Sequence, residues 1–144
     1  MGNVLDIESI RLQGTARTPE EAIDEAGRML VDTGAVDEDY IRYMHEREAS
    51  VSTYMGNYLA IPHGTNEAKE TIRDSALTFI RYDEPIDWGG NEVRFVVGIA
   101  GKDGGHMEVL SSIAIIFSDE EQVTQLLTAS TPEEVLQLLG DVNS

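Results

Sequence analysis

Three histidines, His45, His63 and His106, stand in this sequence, and one of them has a setting suited to nucleophilic chemistry. His63 lies in Leu59-Ala60-Ile61-Pro62-His63-Gly64-Thr65. The apolar run before Pro62 reads as a strand. Pro62 fixes its own φ and biases Ile61 to extended geometry, so the imidazole is presented from a stiff strand end. Gly64 has no side chain, which predicts open approach for a substrate or partner. Loops at the strand ends of α/β sheets are where ligands usually bind. A neutral imidazole placed there can act as a nucleophile and form a covalent phospho-intermediate. Taken alone, Pro-His-Gly is short, and a turn with an incidental histidine is an equal reading of it.

The other chemistry-bearing residues are open to two readings each. Arg47 carries a planar, permanently charged fork that suits phosphate, yet on the residues alone a surface ion pair with Glu46 or Glu48 is favoured. His106 follows a glycine-rich turn and begins a helical pattern. There a helix-capping role is favoured over hydrogen bonding to an anion at the helix start. His45 lies two residues before Arg47, and neighbours at that spacing do not share a helix face, so it reads as a solvated or packing histidine. No histidine pair at i, i+4 supports a metal site. Gly101-Lys102-Asp103-Gly104-Gly105 lacks the P-loop spacing and its Lys-Ser/Thr ending, so it is not read as a nucleotide site; no cofactor is expected. Trp88, beside Gly89-Gly90, reads as a loop-packing residue more than a partner anchor.

Composition narrows the class. The 144 residues include 27 acidic and 10 basic ones, for a net charge of -17, and only Lys69 and Lys102 are lysines. Such a field repels nucleic acid and anionic membrane, and it attracts a partner with a basic docking face. Solubility, for instance in a salty cytoplasm, is the favoured main cause of this charge, and the two readings are compatible. There are no cysteines, which excludes disulfides, thiolate metal sites and cysteine nucleophiles. Neither a signal peptide nor a run long enough to span a membrane is visible, so a cytoplasmic protein is expected.

The elements that must hold these residues follow from periodicity. Residues 7–12 form a short first strand. Thr18-Pro19-Glu20-Glu21 is a helix start with a cap, a first-turn proline and a capping box, followed by Ala22, Ile23, Ala26, Met29 and Leu30 at helical spacing up to Gly34. Asp37 caps a second helix reaching about Glu48, with Tyr40, Ile41 and Met44 on one face. Residues 53–61 mix strand and turn, and 65–72 make a short helix or turn. Residues 76–82 form a strand, 84–91 a loop around Pro85 and Gly89-Gly90, and 93–100 a strand whose apolar run predicts a central place in the sheet. Three helices complete the chain, the last opened by a second capping box, Thr131-Pro132-Glu133-Glu134, and ending near Gly140. The expected fold is α/β, one layered domain over residues 1–144. A mixed sheet of about four or five strands is flanked by helices in the order β-α-α-β-β-β-α-α-α.

A family resemblance rests on these same residues. Ser52-Thr53-Tyr54-Met55-Gly56-Asn57-Tyr58-Leu59-Ala60-Ile61-Pro62-His63-Gly64-Thr65 closely resembles the active-site stretch of the mannitol-type EIIA domain of the phosphoenolpyruvate-dependent sugar phosphotransferase system. Glu46-Arg47-Glu48, Glu67-Ala68-Lys69, the Thr-Pro-Glu-Glu-Ala-Ile helix opening, and Val97-Gly98-Ile99-Ala100-Gly101-Lys102 through His106 extend the likeness over roughly residues 18–139. The resemblance implies that His63 accepts phosphate from the phosphocarrier HPr and passes it to the cysteine of an EIIB domain, for mannitol uptake and phosphorylation. It implies that Arg47 and His106 assist the phosphoryl group. Asn57 matches a position where some members carry glutamate, which leaves its role open. A fixed tautomer, with Nδ1 held by a backbone carbonyl, would make Nε2 the attacking nitrogen. Lacking cysteine, the chain must find its EIIB on another chain. Fructose-type or nitrogen-regulatory EIIA, or an EIIA-like regulatory binding module, are the alternatives. Thr65, where fructose-type members often carry lysine, favours the mannitol type.

Overall fold

The structure, a computed structural model, describes residues 5–102 and 106–139, with the backbone alone at positions 66 and 106–109. Five strands make one mixed sheet in the order β1-β4-β5-β3-β2. They are β1 (Ile10–Arg11), β2 (Tyr54–Gly56), β3 (Leu59–Ala60), β4 (Ala76–Trp88) and β5 (Asn91–Ala100). β5 takes the central place that its apolar run predicts, antiparallel to β4 and parallel to β3. From Phe95 on, its side chains alternate between two cores: Phe95, Val97 and Ile99 face one way, Val96 and Ala100 the other. A strand covered on both faces reads as continuous apolar sequence for this reason.

Two helices cover one face of the sheet, α1 (Pro19–Asp32) and α2 (Asp39–Ser50). They bury Ile23, Ala26, Leu30, Tyr40 and Met44 against Val96, Ala100, Ile80 and Tyr82. The other face is covered by α3 (His106–Phe117), α4 (Glu120–Thr128) and α5 (Pro132–Leu138), through Ile113, Phe117, Val123, Leu126 and Val135. Both capping predictions hold at their centres: Thr18 Oγ1 accepts from the Glu21 N–H, and Thr131 Oγ1 from the Glu134 N–H, each at 3.2 Å. The glutamate reaches one residue further back than a capping box requires, to the Arg17 N–H at 2.8 Å.

Three local expectations are corrected. Residues 7–12 are not one strand. Ile7–Ser9 is a 3₁₀ turn, and only Ile10–Arg11 pairs with β4, because Ile7 is exposed while Ser9 and Ile10 are both buried. Asp37 does not cap α2; its side chain pairs with Arg73, and the cap position is Glu38 without a side-chain bond. Residues 84–91 are not a loop. β4 runs through Pro85 to Trp88, and the chain turns only at Gly89-Gly90, both at positive φ. Pro85 is tolerated because the β4–β5 register shifts between Arg81 and Ile86, where ladder bonds are not required of it. Gly140 lies outside the described residues.

One half-buried carboxylate ties the first strand to the first helix. Glu25 of α1 accepts from Tyr82 Oη at 2.7 Å, Arg11 Nη1 at 2.5 Å, and the N–H groups of Thr15 and Ala16 at 3.3 Å. Burial alone pushes its carboxyl up, but the bonds from Tyr82, Arg11 and the two backbone amides together outweigh this and hold it below the ordinary glutamate value. A depressed folded-state value stabilises the fold above the unfolded pKa, and that contribution is lost as pH falls through the folded value. Glu25→Gln should therefore destabilise the chain by about 1–3 kcal/mol at pH 7. In urea denaturation the gap from wild type should narrow steadily once the pH drops below about 4. An unchanged gap at pH 3 would contradict this assignment.

Candidate active site

β3 carries the chain along β5 in parallel register, Leu59 beside Phe95 and Ala60 beside Val96. The pairing continues past β3, with His63 opposite Ile99 and the Ile99 N–H donating to the Pro62 carbonyl at 3.0 Å. His63 is thus delivered to the C-terminal end of β5, half-buried rather than sealed in the core. Its ring turns back on its own strand: Nδ1–H donates to the Ile61 carbonyl at 2.8 Å. A carbonyl only accepts, so the proton of the neutral ring sits on Nδ1 and the lone pair on Nε2. Proline at 62 supports this geometry by holding Ile61 extended, so that its carbonyl stays where the ring can reach it.

Gly64 is half-buried, and one side of it is packed against α2. A Cβ there would lie 2.6 Å from Cε1 of the Tyr40 ring, so the space is already filled by α2. Tyr40 is buried, and its hydroxyl accepts from the Gly64 N–H at 2.8 Å while donating to the Ile99 carbonyl at 2.6 Å. Burial pushes the phenol up to about 12, with the Gly64 N–H acting in the opposite sense, so the hydroxyl keeps its proton at neutral pH. Thr65 Oγ1 is buried with no hydrogen-bond partner among the described residues.

Arg47 sits in the last turn of α2, where Nη1 donates to the Val51 carbonyl at 2.6 Å. The ion pairs that the bare sequence favours for it are not formed: Glu46 pairs with Arg42, and Glu48 accepts from Thr53 and Trp88. Arg47 follows Tyr40 by seven residues, which on a helix means the same face, about 10 Å further along. The chain leaving α2 then binds the histidine strand, since the Ile61 N–H donates to the Thr53 carbonyl at 3.1 Å. His106 opens α3 just after the end of β5, the same end at which His63 pairs, but its side chain lies outside the described residues. Asn57 stands at the other end of β3, in the β2–β3 turn at φ +50°, where Nδ2 donates to the last carbonyl of α3, that of Phe117, at 2.6 Å. His45 pairs with Asp24 of α1 at 2.7 Å, a link between helices.

Two residues around the histidine escape sequence reasoning. Tyr40 reads there as one more member of an apolar helix face; its hydroxyl was the missed signal, because a buried tyrosine needs a partner. Glu48 carries a carboxylate in the last turn of a helix, where the macrodipole disfavours it by about 0.3–1 kcal/mol. It accepts from the Thr53 N–H at 3.0 Å, Thr53 Oγ1 at 2.5 Å and Trp88 Nε1 at 2.9 Å, so it fastens the end of α2 to the residue that leads into β2 and to the β4–β5 ribbon. Trp88 is buried, as a packing residue should be.

Comparisons with known proteins identify the family. Residues 3–142 match the family described as phosphoenolpyruvate-dependent sugar phosphotransferase system, EIIA 2. A mannitol-specific phosphotransferase enzyme IIA component of Halalkalibacterium halodurans is 51% identical over 140 residues, covering 97% of each chain. A protein of the same description from Staphylococcus aureus is 46% identical over the full length of both. Among solved structures, the complex of mannitol enzyme IIA with phosphorylated enzyme IIB from Escherichia coli aligns with a TM-score of 0.87 at 36% identity, covering 93% of this chain and 95% of that one. A nitrogen regulatory IIA protein from Neisseria meningitidis aligns with a TM-score of 0.83 at 29% identity, covering 94% and 96%. With a family model matching nearly its whole length and close relatives sharing about half its residues, this chain belongs to the EIIA type 2 family of the phosphoenolpyruvate-dependent sugar phosphotransferase system.

Proposed function

We propose that this chain is the phosphoryl carrier of a mannitol-specific phosphotransferase system, with Nε2 of His63 as the atom that holds the phosphoryl group. The observation that carries the reading is the Nδ1–H bond to the Ile61 carbonyl, which assigns the lone pair to Nε2. The donor is the phosphohistidine of HPr. As the Nε2 lone pair forms the new N–P bond, the donor's N–P bond breaks and its electron pair returns to the HPr imidazole. In the second half-reaction a cysteine thiolate of EIIB, on another chain, attacks the same phosphorus, and the N–P electron pair returns to His63. The mannitol assignment rests on relatives at 46–51% identity whose descriptions name mannitol.

Phosphoryl transfer is catalysed chiefly by position and by compensating charge on the three equatorial oxygens. Arg47 is the residue we assign to that compensation. Its guanidinium has five N–H donors, so one bond to Val51 leaves others for a phosphoryl oxygen. His106, at the head of α3, is the second donor. Val51 and Met55, 64% and 47% exposed, lie on the segment running from the end of α2 into β2. They supply an apolar rim for HPr and EIIB, and the surrounding acidic field draws in a basic docking face.

Incubation with phosphoenolpyruvate, Enzyme I and HPr should place acid-labile, base-stable phosphate on the wild type and none on His63→Gln. Undiminished label on that variant would end the assignment. Label that forms but never passes to a mannitol EIIB would move the reading toward the nitrogen-regulatory relative. Arg47→Lys keeps the charge and loses the fork, so single-turnover transfer should slow by about 10- to 100-fold with the fold intact. A rate within twofold of wild type would remove Arg47 from the mechanism. Raising salt from 50 to 500 mM should increase the KM for phospho-HPr more than it lowers kcat, since screening weakens attraction between docking faces. A KM insensitive to salt would count against electrostatic docking.

A further inference from the structure

The bonding next to His63 departs from that of a regular parallel ladder. With the Ile99 N–H donating to the Pro62 carbonyl, the next bond should run from the Gly64 N–H directly to the Ile99 carbonyl. Both of those groups instead meet the Tyr40 hydroxyl, at 2.8 and 2.6 Å. A direct bond would bring the nitrogen and oxygen to about 2.9 Å, whereas two bonds through one hydroxyl hold them roughly 4–5 Å apart. The two chains are therefore wedged open one residue past the histidine. The wedge is stiff: Tyr40 is 2% exposed in the core under α1 and α2, and its ring fills the volume that a Cβ at position 64 would need.

We propose that Tyr40 is a positioning residue for phosphoryl transfer, its hydroxyl spliced into the β3–β5 ladder to set the His63 backbone and so the line along which Nε2 meets phosphorus. This rests on His63 being the phosphoryl acceptor. The wedge gives a reason for the glycine after the histidine: a side chain there would collide with the tyrosine ring. Elevation of the phenol to about 12 keeps the hydroxyl a donor to Ile99 throughout the neutral range. Removing the oxygen lets the Gly64 N–H close directly on Ile99, and shifts of about 1 Å at a reacting atom slow transfer by about 100-fold.

The test is Tyr40→Phe, which keeps the ring and deletes the wedge. Transfer from phospho-HPr should slow at least about tenfold in single turnover while the KM for phospho-HPr stays within about twofold. Imidazole ¹⁵N signals of His63 should show a second tautomer that wild type lacks. A merely structural tyrosine would lower the melting temperature and leave both readouts unchanged in the folded protein. A Tyr40→Phe chain that is labelled as fast as wild type, with a wild-type tautomer, overturns the proposal while leaving the carrier function intact. Wild type that takes no label at position 63 overturns the carrier function, and this proposal with it. Should Tyr40→Phe fail to fold, Gly64→Ala strains the same rung from the other side. It should show the same loss of rate at unchanged KM, and a wild-type rate in that variant is equally decisive against the wedge.

Discussion

One hydrogen bond orders everything else at this site: His63 Nδ1–H to the Ile61 carbonyl, two residues earlier on the same strand. An imidazole in water exchanges its proton between two nitrogens, and either one can attack. Tying one nitrogen to a backbone carbonyl favours one tautomer, and on the proposed reading it makes Nε2 the attacking atom. The strand then has to be held straight enough for the carbonyl to stay under the ring. Pro62 does part of this through its fixed φ, and pairing of residues 59–63 along β5 does the rest. On this account the sheet exists, functionally, to present one lone pair.

The second constraint is charge. A chain with a net charge of -17 must accept a dianionic group and give it up again. Its long-range field favours basic partners, but the same field opposes the phosphoryl oxygens once they arrive. Local cations and N–H donors have to reverse that sign over a few ångströms. Arg47, in the final turn of α2, sits where a positive charge also suits the helix macrodipole. Its neighbour Glu48 opposes that dipole, and is held there by Thr53 and Trp88. The helix end thus carries a cation bonded to the Val51 carbonyl beside a carboxylate anchored by Thr53 and Trp88.

Much of the fold was legible because period and caps speak for themselves. The Thr-Pro-Glu-Glu openings at 18 and 131 name their helices, and the apolar run before Ala100 names the central strand. Pro85 misled, because a proline reads as a strand breaker unless a register shift is known to sit beside it, and nothing local announces that shift. Asp37 misled in the same way: it has a cap's side chain, but Arg73, distant in sequence, claims it. At the site, the strand-end placement of the histidine was legible from its flanking residues, whereas the reason for Gly64 was not. That reason is a ring 24 positions away in sequence, and contacts of that range are set by packing between layers, which local pattern does not encode.

Direct measurement of the phosphorylated ring bears most closely on the central claim. In ¹⁵N spectra of the chain labelled in its histidines and phosphorylated through HPr, phosphorus coupling should appear on Nε2 of His63 alone, with Nδ1 still protonated. Coupling on Nδ1, or on the ring of His45 or His106, would contradict the account at its foundation.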